Sequence, residues 1–128
     1  LRAGKQDPGN SLTFQTMGNL MESLKAYTAA EEAYKQATIV QSQILQNHLA
    51  LIGFYIGQKA DATKIESAFA FALEKSGRAT NVLKEYAQWL EGQKDIAKAI
   101  TIWEEVLKQV PEDRAVKDKI NQLKRKLK

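Results

Sequence analysis

Apolar residues along this chain recur at intervals of three and four, and polar residues fill the positions between them. Such spacing places apolar side chains on one face of an α-helix. The first such stretch contains Phe14, Met17, Gly18, Met21 and Leu24. No segment alternates apolar and polar residues over a sustained length, so the sequence predicts essentially no β-strand. It predicts seven helices of roughly 12–16 residues, joined by short turns.

This helical pattern occurs three times. In each copy a small residue is followed twelve positions later by an alanine or isoleucine, and the pairs are Gly18 with Ala30, Gly53 with Ile65, and Ala87 with Ala99. An aromatic residue follows four positions after each pair, at Tyr34, Phe69 and Trp103. Equivalent residues lie 35 positions apart between the first two copies and 34 between the last two. A period of this length predicts one supersecondary unit stacked several times.

Turn and capping residues separate the predicted helices. Ser11 is the expected N-cap of the first helix, and Asp61 and Asp95 are expected to cap the second helices of the next two copies. Gly77 can adopt the left-handed conformation that ends a helix. Pro111 stops the last helix of the third copy, because proline cannot continue the hydrogen-bond ladder.

The repeat predicts how the chain is divided. Two-helix units are expected at residues 11–45, 46–79 and 80–113, followed by a basic capping helix at 114–128. The capping segment carries one narrow apolar stripe, formed by Val116, Ile120, Leu123 and Leu127. The terminal element of a stacked array needs this pattern, because one face closes the core and the other meets water.

These residues resemble the tetratricopeptide repeat (TPR), which places small and aromatic residues at fixed positions of a helix pair. The small residue, here Gly18, Gly53 or Ala87, is expected to let the two helices of a unit approach closely, and the aromatic residue to fill the gap between units. The third copy matches throughout, at Leu83, Tyr86, Ala87, Leu90, Ala99, Trp103, Val106 and Pro111. The first two copies match too, with Ser42 and Gly77 where proline is usual. The matching residues are Phe14, Met17, Gly18, Met21, Ala30, Tyr34 and Ala37 in the first copy, and Leu49, Ile52, Gly53, Ile56, Ile65, Phe69 and Ala72 in the second. The resemblance covers residues 11–113. It implies an all-α, right-handed TPR superhelix of three helix-turn-helix repeats with a C-terminal capping helix.

The resemblance also implies a binding surface. In this family the first helix of each unit lines a concave groove, which holds a peptide or helix of a partner protein. The residues that would face the groove are Gln15, Asn19, Glu22, Asn47, Ala50, Phe54, Gln58, Asn81, Lys84, Gln88 and Glu91. We therefore expect a non-catalytic protein-protein interaction module that acts as an assembly scaffold or a chaperone-like adaptor.

The large aromatic residues leave two roles open. Phe54 could anchor an apolar side chain of a partner, or it could pack between units. Trp89 and Tyr55 are larger than the residues that this family usually carries at their positions, and packing between units is the favoured interpretation for both. Trp103 is expected to lie in the core.

A narrower resemblance concerns the end of the third copy. The stretch from Ala99 to Leu107, followed by Pro111 and a basic helix with Ile120, is similar to the last repeat of bacterial cytochrome c maturation proteins. This resemblance implies an alternative function, in which the chain holds the C-terminal helix of an apocytochrome. It favours a periplasmic or membrane-anchored parent over a cytoplasmic one. One variant of the family binds a C-terminal carboxylate through a set of Lys, Arg and Asn residues. This variant is not expected here, because Asn19 is the only residue that matches that set.

The composition excludes several kinds of chemistry. The chain has no cysteine, which excludes disulfides, thiolate catalysis and cysteine metal ligands. His48 is its single histidine, expected near the start of a helix and partly exposed. Without a second histidine or a Glu-x-x-His pair, no metal site and no cofactor are expected. The sequence also lacks a phosphate-binding glycine loop and a nucleophile with a histidine base, so we expect no enzymatic activity.

The net charge of +4 comes from the C-terminal segment alone. Residues 111–128 hold seven basic and three acidic side chains, whereas residues 1–110 hold twelve of each. The sharpest cluster consists of Lys117, Lys119, Lys124, Arg125, Lys126 and Lys128. Such a cluster could make the chain a basic adaptor for nucleic acid or an anionic membrane. No aromatic platform for bases accompanies it, so nucleic acid is not a favoured partner and a solvated cap is the preferred interpretation.

The first residues suggest what precedes them. The chain begins with Leu1 and not with methionine, so we expect it to be part of a longer protein. Ala3 and Pro8 fall where a preceding repeat would place its last alanine and its proline, so residues 1–10 are expected to be a linker or the tail of such a repeat. An exposed terminal unit would also allow end-to-end self-association, and the oligomeric state stays open.

Overall fold

The computed structural model describes residues 10–128, and within this range it contains seven α-helices and no β-strand. The helices are α1 (Ser11–Ser23), α2 (Tyr27–Val40), α3 (Leu45–Gly57), α4 (Ala62–Ser76), α5 (Thr80–Gly92), α6 (Ile96–Gln109) and α7 (Arg114–Lys126). The predicted all-α class and helix number are confirmed. The proposed remnant of an upstream repeat lies, except for Asn10, outside the described residues.

The chain divides into two compact units after Gly77. The first unit contains α1 to α4, and the second contains α5 to α7. The helix pairs α1–α2, α3–α4 and α5–α6 lie at residues 11–40, 45–76 and 80–109, and α3 begins at Leu45, one residue before the expected start of the second repeat. Within the second unit α7 packs on α6.

The first helix is capped by a different residue from the one that the sequence suggested. Asn10 is the N-cap, and its side-chain Oδ1 accepts a hydrogen bond from the backbone N–H of Leu12 at 2.9 Å. Ser11 is the first helical residue, and its side chain is buried. Its backbone N–H donates to Oε1 of Gln41 at 2.7 Å. The prediction of a Ser11 cap was therefore wrong by one residue, since the amide of Asn10 satisfies the first free N–H group.

The later caps follow the sequence more closely. Asp95 accepts from the backbone N–H of Lys98, as expected, and Asp113 plays the same role for α7. Asp61 stands at the N-cap of α4 but makes no side-chain capping bond. Gly77 ends α4 in the left-handed conformation, with a φ of 65°. This angle is the reason why a glycine suits the position.

The turn inside each repeat is built on a lysine in the left-handed conformation. Lys25, Lys59 and Lys94 have φ angles of 61°, 55° and 68°. In each case the following residue donates its N–H to a carbonyl five positions earlier in the chain, as Ala60 does to Tyr55 at 2.9 Å. This is the Schellman arrangement, which satisfies carbonyl groups at the end of a helix. Lysine thus occupies a position where glycine is the common residue.

In the first unit, α1 approaches α2 closely at Gly18. A Cβ atom on Gly18 would lie 2.7–2.9 Å from ring carbons of Tyr34, so only glycine fits beneath this ring. The same role was expected for Gly53 in the second copy. No side chain or neighbouring backbone lies within 4 Å of the position that a Gly53 Cβ would take, so this expectation is wrong. The two glycines share a repeat position but have different surroundings.

Buried apolar side chains form the core of both units. Those of the first unit are Ala30, Ala33, Tyr34, Ala37, Leu51, Ile52, Phe54, Tyr55, Ile65, Phe69, Ala72 and Leu73. Those of the second unit are Val82, Leu83, Tyr86, Ala87, Leu90, Ala99, Ile100, Ile102, Trp103, Val106, Val116, Ile120 and Leu123. Trp103 is therefore a core residue, as expected.

Several predictions about exposure fail. Leu24, Ile56 and Leu127 were placed on apolar helix faces, but all three are exposed. His48 was expected to be partly exposed, but only 2% of it is accessible. Its Nε2 lies 2.6 Å from the carbonyl oxygen of Ser42, and its ring meets the ring of Phe71 edge-on with centroids 5.3 Å apart. The histidine is buried because it closes the junction between α2 and α3.

Candidate peptide-binding surface

The predicted groove residues of α1 are tied to the core by hydrogen bonds. Gln15, Asn19 and Glu22 are spaced by four and three residues, so they share one face of the helix. The hydroxyl of Tyr34 donates to Oδ1 of Asn19 at 2.6 Å and to Oε1 of Glu22 at 2.9 Å. Burial raises the pKa of Tyr34 to about 12, helped by the hydrogen bond to Glu22 and by its negative charge. The Tyr34 hydroxyl thus fixes the side chains of Asn19 and Glu22.

On α3, one predicted groove residue is removed from the surface. Asn47 is completely buried. Its Nδ2 donates to the carbonyl oxygen of Gln41 at 2.9 Å, and its Oδ1 accepts from Nε2 of Gln15. Asn47 therefore holds the α2–α3 connection against α1. Ala50 is half-buried and Gln58 is exposed, so Gln58 is the accessible polar side chain of the predicted set on this helix.

Phe54 packs inside the first unit. Only 6% of the side chain is accessible. Its ring centroid lies 5.3 Å from that of Tyr34 on α2 and 6.0 Å from that of Tyr55. Of the two roles that the sequence leaves open for Phe54, this geometry corresponds to packing between the first two repeats.

The predicted residues of α5 form the corresponding set in the second unit. Asn81 and Gln88 are exposed, whereas Lys84 and Glu91 are half-buried. Lys84 forms an ion pair with Asp113 at 3.8 Å. Glu91 accepts from Nε1 of Trp103 at 2.7 Å and from Nζ of Lys119 at 3.2 Å. Asn81 and Gln88 are thus the accessible amides of this set.

The first and third repeats share one hydrogen bond, in which a glutamate accepts from the buried aromatic residue. Glu22 accepts from Tyr34, and Glu91 accepts from Trp103, each at the same separation of twelve residues. The second repeat has Gly57 and Phe69 at these positions, so it lacks both the carboxylate and the polar aromatic group. Glu22 and Glu91, which were predicted to face a partner, therefore orient the core aromatics. The sequence signal was available, since the two carboxylates and the two polar aromatics share one period.

A second polar cluster, which joins α2, α3 and α4 and lies beside Phe54 and Gln58, was not predicted. The hydroxyl of Tyr55 donates to Oε2 of Glu31 at 2.8 Å, and Nζ of Lys64 lies 3.1 Å from the same oxygen. Burial acts to raise the pKa of Glu31, but the bonds from Tyr55 and Lys64 and the lysine charge outweigh it and leave the pKa below its ordinary value. Burial and Glu31 together raise the pKa of Tyr55. The unusual size of Tyr55 was the only sequence signal for this cluster.

The basic residues of α7 are partly engaged within the second unit. Lys119 pairs with Glu91 at 3.2 Å, and Lys124 pairs with Glu104 at 3.6 Å. Lys117, Arg125 and Lys126 are exposed. The apolar stripe of α7 is buried at Val116, Ile120 and Leu123, so it is not available to insert into another surface.

Within residues 10–128, no group of three or more His, Asp or Glu side chains is placed so that it could hold a metal ion. None of the helices α1 to α7 has both the length and the apolar character that a membrane span requires.

The chain has the fold of a TPR domain. Its structure is similar to the TPR domain of Arabidopsis OM64, with a TM-score of 0.64 over 90% of this chain and 94% of that one. The sequences are 13% identical, so the likeness establishes the fold alone. No family model and no curated protein matches the sequence. The fold that the repeat pattern predicted is confirmed, while the narrower resemblance to cytochrome c maturation proteins stays a prediction.

Proposed function

We propose that this protein is a non-catalytic protein-protein interaction module that serves as an assembly scaffold or a chaperone-like adaptor. It binds a peptide or helix of a partner protein through exposed polar residues on the first helices of its repeats, α1 and α3 in the first unit and α5 in the second. The observation that carries this proposal is that exposed amides recur on these helices. Asn19, Gln58, Asn81 and Gln88 are exposed, and each lies on or directly after the first helix of its repeat.

The scaffold beneath these amides favours binding because it is already ordered. Tyr34 fixes Asn19 through a short hydrogen bond, and the buried Asn47 fixes the start of α3. A surface that is ordered before binding loses less conformational entropy when the partner arrives. Asn19 can therefore present its side-chain amide with a small entropic cost.

The accessible chemistry indicates what kind of partner fits. Glu22 and Glu91 already accept hydrogen bonds from buried aromatic residues, and Lys84 is paired with Asp113. The remaining side chains of the predicted set are mainly neutral amides, which have both donors and acceptors. Such groups suit the backbone and polar side chains of a peptide better than a strongly charged ligand.

A catalytic role is disfavoured by the state of the usual catalytic residues. The chain has no cysteine, and its single histidine is buried against the carbonyl oxygen of Ser42. A buried imidazole in this position is not available as a general base for a substrate.

The test is a selection of displayed peptides on the intact chain, followed by affinity measurements with variants. Asn19→Ala, Gln58→Ala and Gln88→Ala should each weaken binding of the selected peptides, by roughly threefold to tenfold for one lost hydrogen bond. Gln122→Ala is the matched control, because Gln122 is an exposed amide on α7. Equal affinities for the triple variant and the wild type, with unchanged circular dichroism, would contradict the proposal.

A further inference from the structure

The first unit contains an open groove that none of the predicted peptide-binding residues lines. It lies between α2 and α4, the second helices of their repeats, and its floor is formed by α3. The cavity has a volume of about 410 Å³. This size is within the range of sites that bind small ligands or single large side chains.

The floor and one wall of the groove are apolar. Leu51 of α3 forms part of the floor, with Ile39 of α2 and Phe71 of α4 on either side. Ile39 is 61% exposed, so its side chain is accessible to a partner. Phe71 is half-buried, and its ring makes an edge-on contact with the ring of His48. Contact with an apolar group of a partner would bury more of the surface of these three side chains, which favours binding.

The charged side chains around the groove are mostly positive. Glu31 is the acidic lining residue, and both Tyr55 and Lys64 already contact its Oε2 atom. Lys35 is exposed, lines the groove, and lies one helical turn from both Glu31 and Ile39. Lys75 lies over the Phe71 ring, with its Nζ 5.6 Å from the ring centroid. After the Glu31–Lys64 pair is formed, two lysines therefore flank the apolar floor.

We propose that this groove is a second docking site, which binds an acidic segment of a partner protein through one large apolar side chain. The apolar anchor enters between Ile39 and Phe71, and neighbouring Asp or Glu residues of the segment meet Lys35 and Lys75. Charge complementarity selects this partner over a basic one, because a basic segment would be repelled by both lysines. The apolar part of the groove, at Ile39 and Phe71, contains none of the amides of the proposed function, although Gln58 lies beside its Glu31–Lys64 end. One chain could therefore hold two partners together.

The experiment uses the intact chain and a displayed library of random peptides about twelve residues long. The expected peptides have a Leu, Ile, Phe or Trp residue flanked by Asp or Glu. Their affinity should fall about tenfold with Ile39→Ser and similarly with Lys35→Glu, which corresponds to about 1.4 kcal/mol. Binding should weaken as salt is raised, because the charges are near the surface. In the wild-type chain, peptide binding should shift the NMR signals of Ile39 and Phe71.

Matched controls come from the same molecule. Leu24→Ser removes a leucine that is 66% exposed at the end of α1, and Lys117→Glu reverses an exposed lysine on α7. Both variants should bind the peptides as the wild type does. Asn19→Ala and Gln88→Ala should also leave this binding unchanged, so failure of this proposal can be distinguished from failure of the proposed function.

Three results would overturn the proposal. The first is that no acidic, apolar peptides are enriched. The second is that such peptides bind Ile39→Ser as tightly as the wild type. The third is that sedimentation shows self-association that Ile39→Ser abolishes, since a second copy of the chain would then occupy the groove.

Discussion

The first and second helix pairs have the same repeat pattern but use it differently. Both bury the aromatic residue at its repeat position, with Tyr34 3% and Phe69 0% accessible. In the first pair that ring lies directly on Gly18, whereas the space beside Gly53 is open. The repeat position therefore predicts the burial of the aromatic residue. It does not predict how closely the first helix approaches its neighbour.

The polar partner of the aromatic residue differs as well. Tyr34 and Trp103 each carry a hydrogen-bond donor, and each meets a glutamate from the preceding helix. Phe69 has no donor, and Gly57 stands where the glutamate would be. A buried polar group needs a partner, so the two residues change together. Comparing the repeats thus identifies Glu22 and Glu91 as structural residues.

The largest expected effect is at the close contact of the first pair. Gly18→Ala forces the Tyr34 ring to move within a packed core, and we expect it to reduce the free energy of unfolding by about 1–3 kcal/mol. Urea denaturation followed by circular dichroism measures this change. A Gly18→Ala variant as stable as the wild type would show that the ring moves without cost and that the contact is not restrictive.

Removal of one hydroxyl group should have the next largest effect. Tyr34→Phe keeps the ring and removes the donor to Asn19 and Glu22, so we expect a loss of about 0.5–1.5 kcal/mol in the free energy of unfolding at neutral pH. Tyr27→Phe is the control, because Tyr27 is 41% exposed. Equal losses for the two variants would mean that the Tyr34 hydrogen bonds contribute nothing specific.

The same hydroxyl makes stability depend on alkaline pH. The pKa of Tyr34 is about 12 in the folded chain, and an unfolded tyrosine titrates near pH 10. The contribution of the neutral hydroxyl is therefore complete below pH 10 and is lost as the pH rises through 12. We expect the wild type to lose stability more steeply than Tyr34→Phe in this range, as measured by urea midpoints at each pH. Parallel curves would contradict the assignment.

The smallest expected effect is at the open glycine of the second pair. Gly53→Ala adds a methyl group that has room, and it replaces a poor helix former with the best one. We expect the free energy of unfolding to rise by about 0.5–1 kcal/mol. The sign is opposite to that for Gly18→Ala, so the same denaturation series tests the comparison directly. A loss at Gly53 would indicate that the second pair closes like the first.

Much of the fold could be predicted from the sequence because it depends on local spacing. The apolar periodicity predicted the helices, and Gly77 was correctly expected to end α4. A close contact was expected at both Gly18 and Gly53 from their shared repeat position, and it is present at Gly18 alone of the two. Ser11 was mistaken for the cap because serine and asparagine cap helices almost equally well, and their order along the chain cannot separate them.

The candidate sites were harder to predict because they depend on neighbouring helices. Periodicity places Asn47 and Phe54 on one face of α3, but it cannot show that α1 and α2 cover that face. The groove between α2 and α4 is formed by residues such as Ile39 and Phe71, which are distant in sequence and belong to different repeats. Single-helix patterns contain no information about such a pair.

The division of the chain after Gly77 has a practical consequence for spectroscopy. Both tryptophans, Trp89 and Trp103, lie in the second unit, and the residues before Gly77 include none. Intrinsic tryptophan fluorescence therefore reports on α5 to α7 alone, whereas far-ultraviolet circular dichroism sums the signal of all helices. If the two units unfold together, the two denaturation curves coincide. If they unfold separately, the curves separate, and no label needs to be attached to tell the units apart.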